Sequence, residues 1–137
     1  MNQQNDRQQG RARPARGARQ GLGRAGEQLA ARTLLKRGYR VLEHNFRCQQ
    51  GEIDIVAEEG QDLVFVEVKT RRGTACGLPE EAVTPRKQRK LIEVAYTYLD
   101  LHMCADRSWR IDVVAIQLDK RGTLQEIRVH PHAVGSE

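Results

Sequence analysis

GEIDIVAEEGQDLVFVEVKTR, residues 51–71, consists of two apolar runs joined by a short polar connection. Alternation and β-branched content predict strands over roughly 51–58 and 62–70. Gly60-Gln61 suits a type II′ hairpin turn, with glycine in the first central position. Such a turn pairs residues whose numbers sum to 121. Ile53 then faces Val68, Ile55 faces Val66 and Ala57 faces Val64, giving one apolar face. On the other face Asp54 meets Glu67, Glu52 meets Lys69 and Val56 meets Phe65. A one-residue slip would mix the two faces, which burial forbids.

This register sets like charges against each other. Directly opposed side chains on one face lie roughly 4.5–5.5 Å apart at Cβ, and two acids at that spacing destabilise the sheet. Lys69 cannot neutralise Glu52, Asp54 and Glu67 alone. Hard carboxylate oxygens suit Mg²⁺ or Mn²⁺, so the pattern points to a metal site at Asp54 and Glu67. The bland alternative is a solvated face on which acids and a lysine meet water, and the short pattern arises easily in a chain that is 30% charged. Against it, Val56 and Phe65 are too apolar for an exposed ribbon. Glu27, near the start of the first helix, is placed to close over the same sheet edge.

Outward from the hairpin, GRAGEQLAARTLLKRG (23–38) is an amphipathic helix that Gly38 is placed to end. YRVLEHNFR (39–47) is a strand, and 72–83 is a loop punctuated by Gly and Pro. Thr84-Pro85 is an N-cap followed by proline at the first helical position, opening a helix through RKQRKLIEVAYTYLDLH. Strands follow at 108–118 and 123–130. The order α-β-β-β-α-β-β predicts an α/β domain: a meander of three strands, then a parallel crossover, in a mixed sheet of about five strands flanked by helices. Asp112 sits in a local context like that of Asp54 but has no E-x-K partner, and reads as structural.

The 137 residues suffice for one domain. Residues 1–20 have little to bury and read as a disordered Arg/Gln-rich tail, leaving 21–137 as a single domain. Residues 1–24 hold six Arg and one acid, so the remainder balances at 17 basic and 17 acidic residues. The whole +5 excess therefore lies within residues 1–24. An Arg-rich arm suits a polyanion such as nucleic acid, and suits equally a solubilising extension. Cys48, Cys76 and Cys104 support neither a disulfide framework nor a zinc site. His130 and His132 flank Pro131 and read as incidental. A membrane span and a secretory leader are both missing from the sequence, which fits a cytoplasmic protein.

These residues resemble the PD-(D/E)xK nuclease superfamily, with its restriction-endonuclease-like core. GRAGEQLAARTLLKRGYRVLEHNFR, GEIDIVA, LVFVEVKTR and RIDVVAI are more closely similar to the bacterial YraN family of predicted endonucleases, themselves similar to archaeal Holliday-junction resolvases. The likeness spans about residues 21–130. It implies that Asp54 and Glu67 hold Mg²⁺ or Mn²⁺, that Lys69 activates water and stabilises charge, and that Glu27 assists. Glu52 and Gln88 are secondary candidates. Arg71, Arg72, Arg86, Lys87 and Lys90 are candidate phosphate contacts. The expected function is metal-dependent hydrolysis of DNA, branched or flapped, without a membrane partner; resolvase-like action would need a homodimer. The rivals are a non-catalytic nucleic-acid-binding module and a scaffold whose acids only make salt bridges.

Overall fold

The computed structural model describes residues 23–75 and 77–134. The tail expected over residues 1–20 lies outside them, as does Cys76. Helix α1 covers 23–36. It stops two residues short of Gly38, which takes φ 95°. Tyr39 N–H donates to the Leu34 carbonyl (3.0 Å) and Gly38 N–H to that of Leu35 (3.1 Å). This is a Schellman end, which needs the left-handed residue at that point. Helix α2, Pro85–Leu101, starts as expected, with the Thr84 hydroxyl accepting from Lys87 N–H at 3.2 Å. The loop before it contains a 3₁₀ turn, Pro79–Ala82.

The strands are β1 (Arg40–Cys48), β2 (Gly51–Glu59), β3 (Asp62–Arg72), β4 (Trp109–Leu118) and β5 (Leu124–His130). They form one sheet in the order β1-β2-β3-β4-β5. The first three pair antiparallel, and α2 carries the chain over to β4, which lies parallel to β3. β5 returns antiparallel at the edge. The expected mixed α/β sheet in the order α-β-β-β-α-β-β is therefore the fold.

Each sheet face carries its own core. Ala30 and Leu34 of α1 pack with Ile55, Ala57, Val64, Val66, Val114 and Ile116. On the opposite face, Leu91, Val94, Tyr98 and Leu99 of α2 pack with Val56, Leu63, Phe65 and Ile111. Phe65 is 1% exposed and lies edge-on to Tyr98 and Trp109, with ring centroids 5.4 and 5.7 Å away. Burial of a side chain of this size contributes about 1.5–3 kcal/mol, so the two cores clamp the sheet from both sides.

The hairpin register is as the turn dictates near the turn: Glu59↔Asp62, Ala57↔Val64, Val56↔Phe65 and Ile55↔Val66 pair. Gly60 supplies the positive φ, 59°. The ladder then ends. The expected pairs Ile53/Val68, Asp54/Glu67 and Glu52/Lys69 do not form, because Asp54 Oδ2 accepts the Val68 N–H at 2.8 Å. A side chain has taken the place of the next ladder bond. β2 instead follows β1 at this end, through Phe46↔Ile53 and Arg47↔Glu52. Ile53 consequently leaves the face of Ile55 and joins the α2-side core, a correction to the expected six-residue face.

At the turn end of the hairpin, Arg110 does the anchoring. Its guanidinium donates to Asp62 Oδ2 (2.8 Å), Asp112 Oδ1 (3.0 Å) and Glu59. Asp112, 0% exposed, also accepts from the Tyr39 hydroxyl (2.8 Å) and His132 N–H (3.1 Å). It is structural, as expected. His130 Nε2 lies 2.9 Å from Glu80 Oε2, beside the Arg128 guanidinium that grips the same carboxylate. Cys48 and Cys104 are free thiols. No helix among the described residues is long and apolar enough to cross a membrane.

Candidate metal centre

Where β2 and β3 separate, three carboxylates converge. Glu27 comes from α1, and Glu52 and Asp54 from β2; an oxygen from each lies within 4.8 Å of the others. Gly26 makes this possible. A Cβ at that position would meet Thr70 Oγ1 at 2.2 Å, so only glycine lets α1 sit this close to β3 and bring Glu27 over the strand end.

The environment resists charge on two of these acids, Asp54 and Glu27. Burial first, and the Glu67 charge second, push the Asp54 carboxyl up to about 8; the Val68 N–H opposes the shift, and Glu27 and Glu52 add to it. Glu27 is also raised, mainly by burial and then by the charge of Glu52, against hydrogen bonds with Asp54 and Asn45. Among the described residues, ion pairs reach Glu52, from Arg47 Nε at 3.2 Å, but neither Glu27 nor Asp54. Closely spaced carboxylates that cannot all ionise form a donor set suited to a hard divalent cation.

Glu67 stands beside this trio rather than in it. It is 4% exposed, and its Oε2 lies 3.4 Å from Lys69 Nζ and 3.5 Å from Lys87 Nζ. The structure thus brings Glu27, Glu52 and Asp54 together, with Glu67 and Lys69 as neighbours. Glu52, a secondary candidate by sequence, is a full member of the cluster. The Gln88 amide donates to the Val83 carbonyl at 3.0 Å.

Of the basic candidates, Arg86 and Lys90 are exposed at the start of α2, while Lys87 turns toward Glu67. Arg72 is exposed and Arg71 half-buried at the end of β3. Sequence reasoning missed three contributors: Gly26, the Lys87–Glu67 contact, and Asn45. With its NH₂ turned toward the acids, the Asn45 amide donates to Glu52 Oε2 (3.1 Å) and Glu27 Oε1 (3.3 Å). The one available hint was an Asn inside a predicted strand, since Asn tolerates left-handed backbone better than most residues.

A family model described as "Uncharacterised protein family UPF0102" matches residues 26–116, from α1 into β4. A UPF0102 protein of Roseiflexus castenholzii is 47% identical over 119 residues, covering 86% of this chain and 96% of that one. A UPF0102 protein of Geotalea uraniireducens is 52% identical over 95 residues, covering 69% and 75%. The solved structure of Pyrococcus furiosus SfsA in complex with Ca²⁺ aligns at 16% identity and a TM-score of 0.34, covering 85% of this chain and 65% of that one, a likeness too slight to carry an argument. On the family match and these identities, the chain belongs to the uncharacterised protein family UPF0102, the YraN family that its motifs resemble.

Proposed function

We propose that the chain is a metal-dependent nuclease-fold protein that binds DNA and hydrolyses phosphodiester bonds. The observation that carries this reading is the convergence of Glu27, Glu52 and Asp54 next to the Glu67–Lys69 pair. A scaffold reading requires every acid to be paired, yet among the described residues no ion pair reaches Asp54, and its carboxyl is pushed up to about 8. A pure binder has no use for clustered acids that repel phosphate.

Glu27, Glu52 and Asp54 would hold Mg²⁺ or Mn²⁺, with Glu67 adding negative potential beside them. When bound, such an ion neutralises charge at a scissile phosphate and acidifies an attacking water. The chain's own groups do the rest. Glu67 holds the Lys69 ammonium at the edge of the acidic cluster, where it donates to phosphate oxygens as their charge builds. Lys87 supplies a second ammonium on the same carboxylate. Arg71, Arg72, Arg86 and Lys90 would contact neighbouring phosphates, which positions a strand without reading its sequence. Action on a four-way junction would take two such sites, hence a homodimer.

The test is purified protein incubated with linear, flapped and four-way DNAs, with Mg²⁺ or Mn²⁺ against EDTA. Cleavage of at least one substrate with metal and none in EDTA is expected. DNA binding with no cleavage of any substrate would support the non-catalytic module instead.

A further inference from the structure

Asn45 lies in the middle of β1 with φ 56°, a left-handed conformation that a strand residue rarely adopts. The β1–β2 ladder pairs His44 with Ile55 and Phe46 with Ile53, so positions 45 and 54 fall between those two pairs. The turn in the backbone breaks the alternation of β1: His44 and Asn45 are both exposed before Phe46 is buried. Such a conformation persists only where surrounding contacts hold it. Here the contacts are the two acids: with its NH₂ oriented toward them, the amide nitrogen lies 3.1 Å from Glu52 Oε2 and 3.3 Å from Glu27 Oε1. One donor pair therefore ties a carboxylate of helix α1 to a carboxylate of strand β2.

We infer that Asn45 is a positioning residue of the acidic centre, its left-handed backbone aiming an amide that holds Glu27 and Glu52 around Asp54. This rests on the metal reading above, and extends it to a residue that would touch neither metal nor phosphate. Without the bridge, Glu27 and Glu52 repel, and the polar tie left between α1 and β2 is the Glu27–Asp54 hydrogen bond, which does not position Glu52. With it, two of the three carboxylates are already in place. Groups that hydrogen-bond to metal-binding side chains orient them, and losing one typically weakens affinity about 10–100-fold.

Two variants test this. Asn45→Gly keeps the left-handed backbone and removes the amide; the relief of φ and the entropy of glycine oppose each other, so the fold should survive. Its melting temperature in EDTA should stay near that of the wild type, while calorimetry should show Mn²⁺ binding about 10–100-fold weaker. Affinity within twofold of the wild type would overturn the role. Asn45→Asp keeps the shape and the tolerance of positive φ but replaces the donors with a fourth acid. In EDTA at pH 8 it should melt below both the wild type and Asn45→Gly, and a melting temperature at or above the wild type would overturn the bridge without reference to metal. A wild type that binds no Mn²⁺ would refute the metal reading, and the Asn45→Asp comparison would still decide whether the amide bridges the acids.

Discussion

Asp54→Asn should stabilise the metal-free protein. The folded-state carboxyl titrates near 8 against an ordinary 3.8, because burial and Glu67 disfavour its charge. A carboxyl raised on folding binds its proton more tightly in the folded state. Stability is therefore greatest below the unfolded pKa and falls as pH rises toward the folded one. At about 1.4 kcal/mol per unit, the penalty at pH 7 has a ceiling of about 4 kcal/mol. Glu27, also raised, shares a hydrogen bond with Asp54. A proton held between the two softens the loss, and about 1–3 kcal/mol is the expected size. Asparagine keeps an oxygen for the Val68 N–H, which Asp54 now accepts at 2.8 Å, and removes the charge. Urea unfolding in EDTA at pH 5 and pH 8 measures the difference between variant and wild type. The gain should be small at pH 5 and larger at pH 8. A variant less stable than the wild type at pH 8, or a difference that does not grow with pH, would refute the reasoning. Saturating Mn²⁺ should then stabilise the wild type and hardly move the variant; equal gains would place any metal elsewhere.

Gly26→Ala puts a Cβ 2.2 Å from Thr70 Oγ1, so it should cost about 1–3 kcal/mol and reduce stabilisation by Mn²⁺ as Glu27 is pushed out. Adding Thr70→Ala should restore both, and thermal melts showing no rescue would mean that close approach is not the reason for glycine. Glu80 is held down at about 2 from 4.5, chiefly by Arg128, with burial opposing and His130 adding to the effect. Its contribution is present above 4.5 and lost as pH falls toward 2, so Glu80→Gln should flatten the acid limb of stability in that window; an unchanged limb in acid titrations of both proteins would count against this. Deleting residues 1–20 removes five Arg. The slope of log affinity for duplex DNA against log salt should become shallower by up to about 4–5, and an unchanged slope would make the tail a bystander.

Much of the fold was legible because it rests on local signals. Gly60 and the apolar alternation set the register from Glu59/Asp62 to Ile55/Val66, and Thr84-Pro85 marked the start of α2. The register could not be extended to Asp54 because a carboxylate replaces a ladder bond there, a choice invisible to side-chain period. The same local chemistry moved Ile53 to the other core. The E-x-K pair was legible as a motif. The partnership of Glu67 with Lys87 was not, since it joins β3 to α2 across the chain. RIDVVAI and GEIDIVA look alike in sequence, yet Asp112 is enclosed by Arg110 and Tyr39 while Asp54 faces other acids. Burial and partners separate the two aspartates, and both are tertiary properties.

The central claim is that phosphodiester hydrolysis occurs at this centre, and Lys69 isolates it best. Removing its ammonium leaves Lys87 at 3.5 Å to neutralise Glu67, so the fold should hold. Lys69→Ala should bind DNA nearly as tightly as the wild type, because affinity is spread over many phosphate contacts. The decisive measurement is the Mn²⁺-dependent cleavage rate of wild type and Lys69→Ala purified identically. Cleavage by the wild type and loss of at least about 100-fold in the variant is the predicted result; equal rates would contradict the assignment.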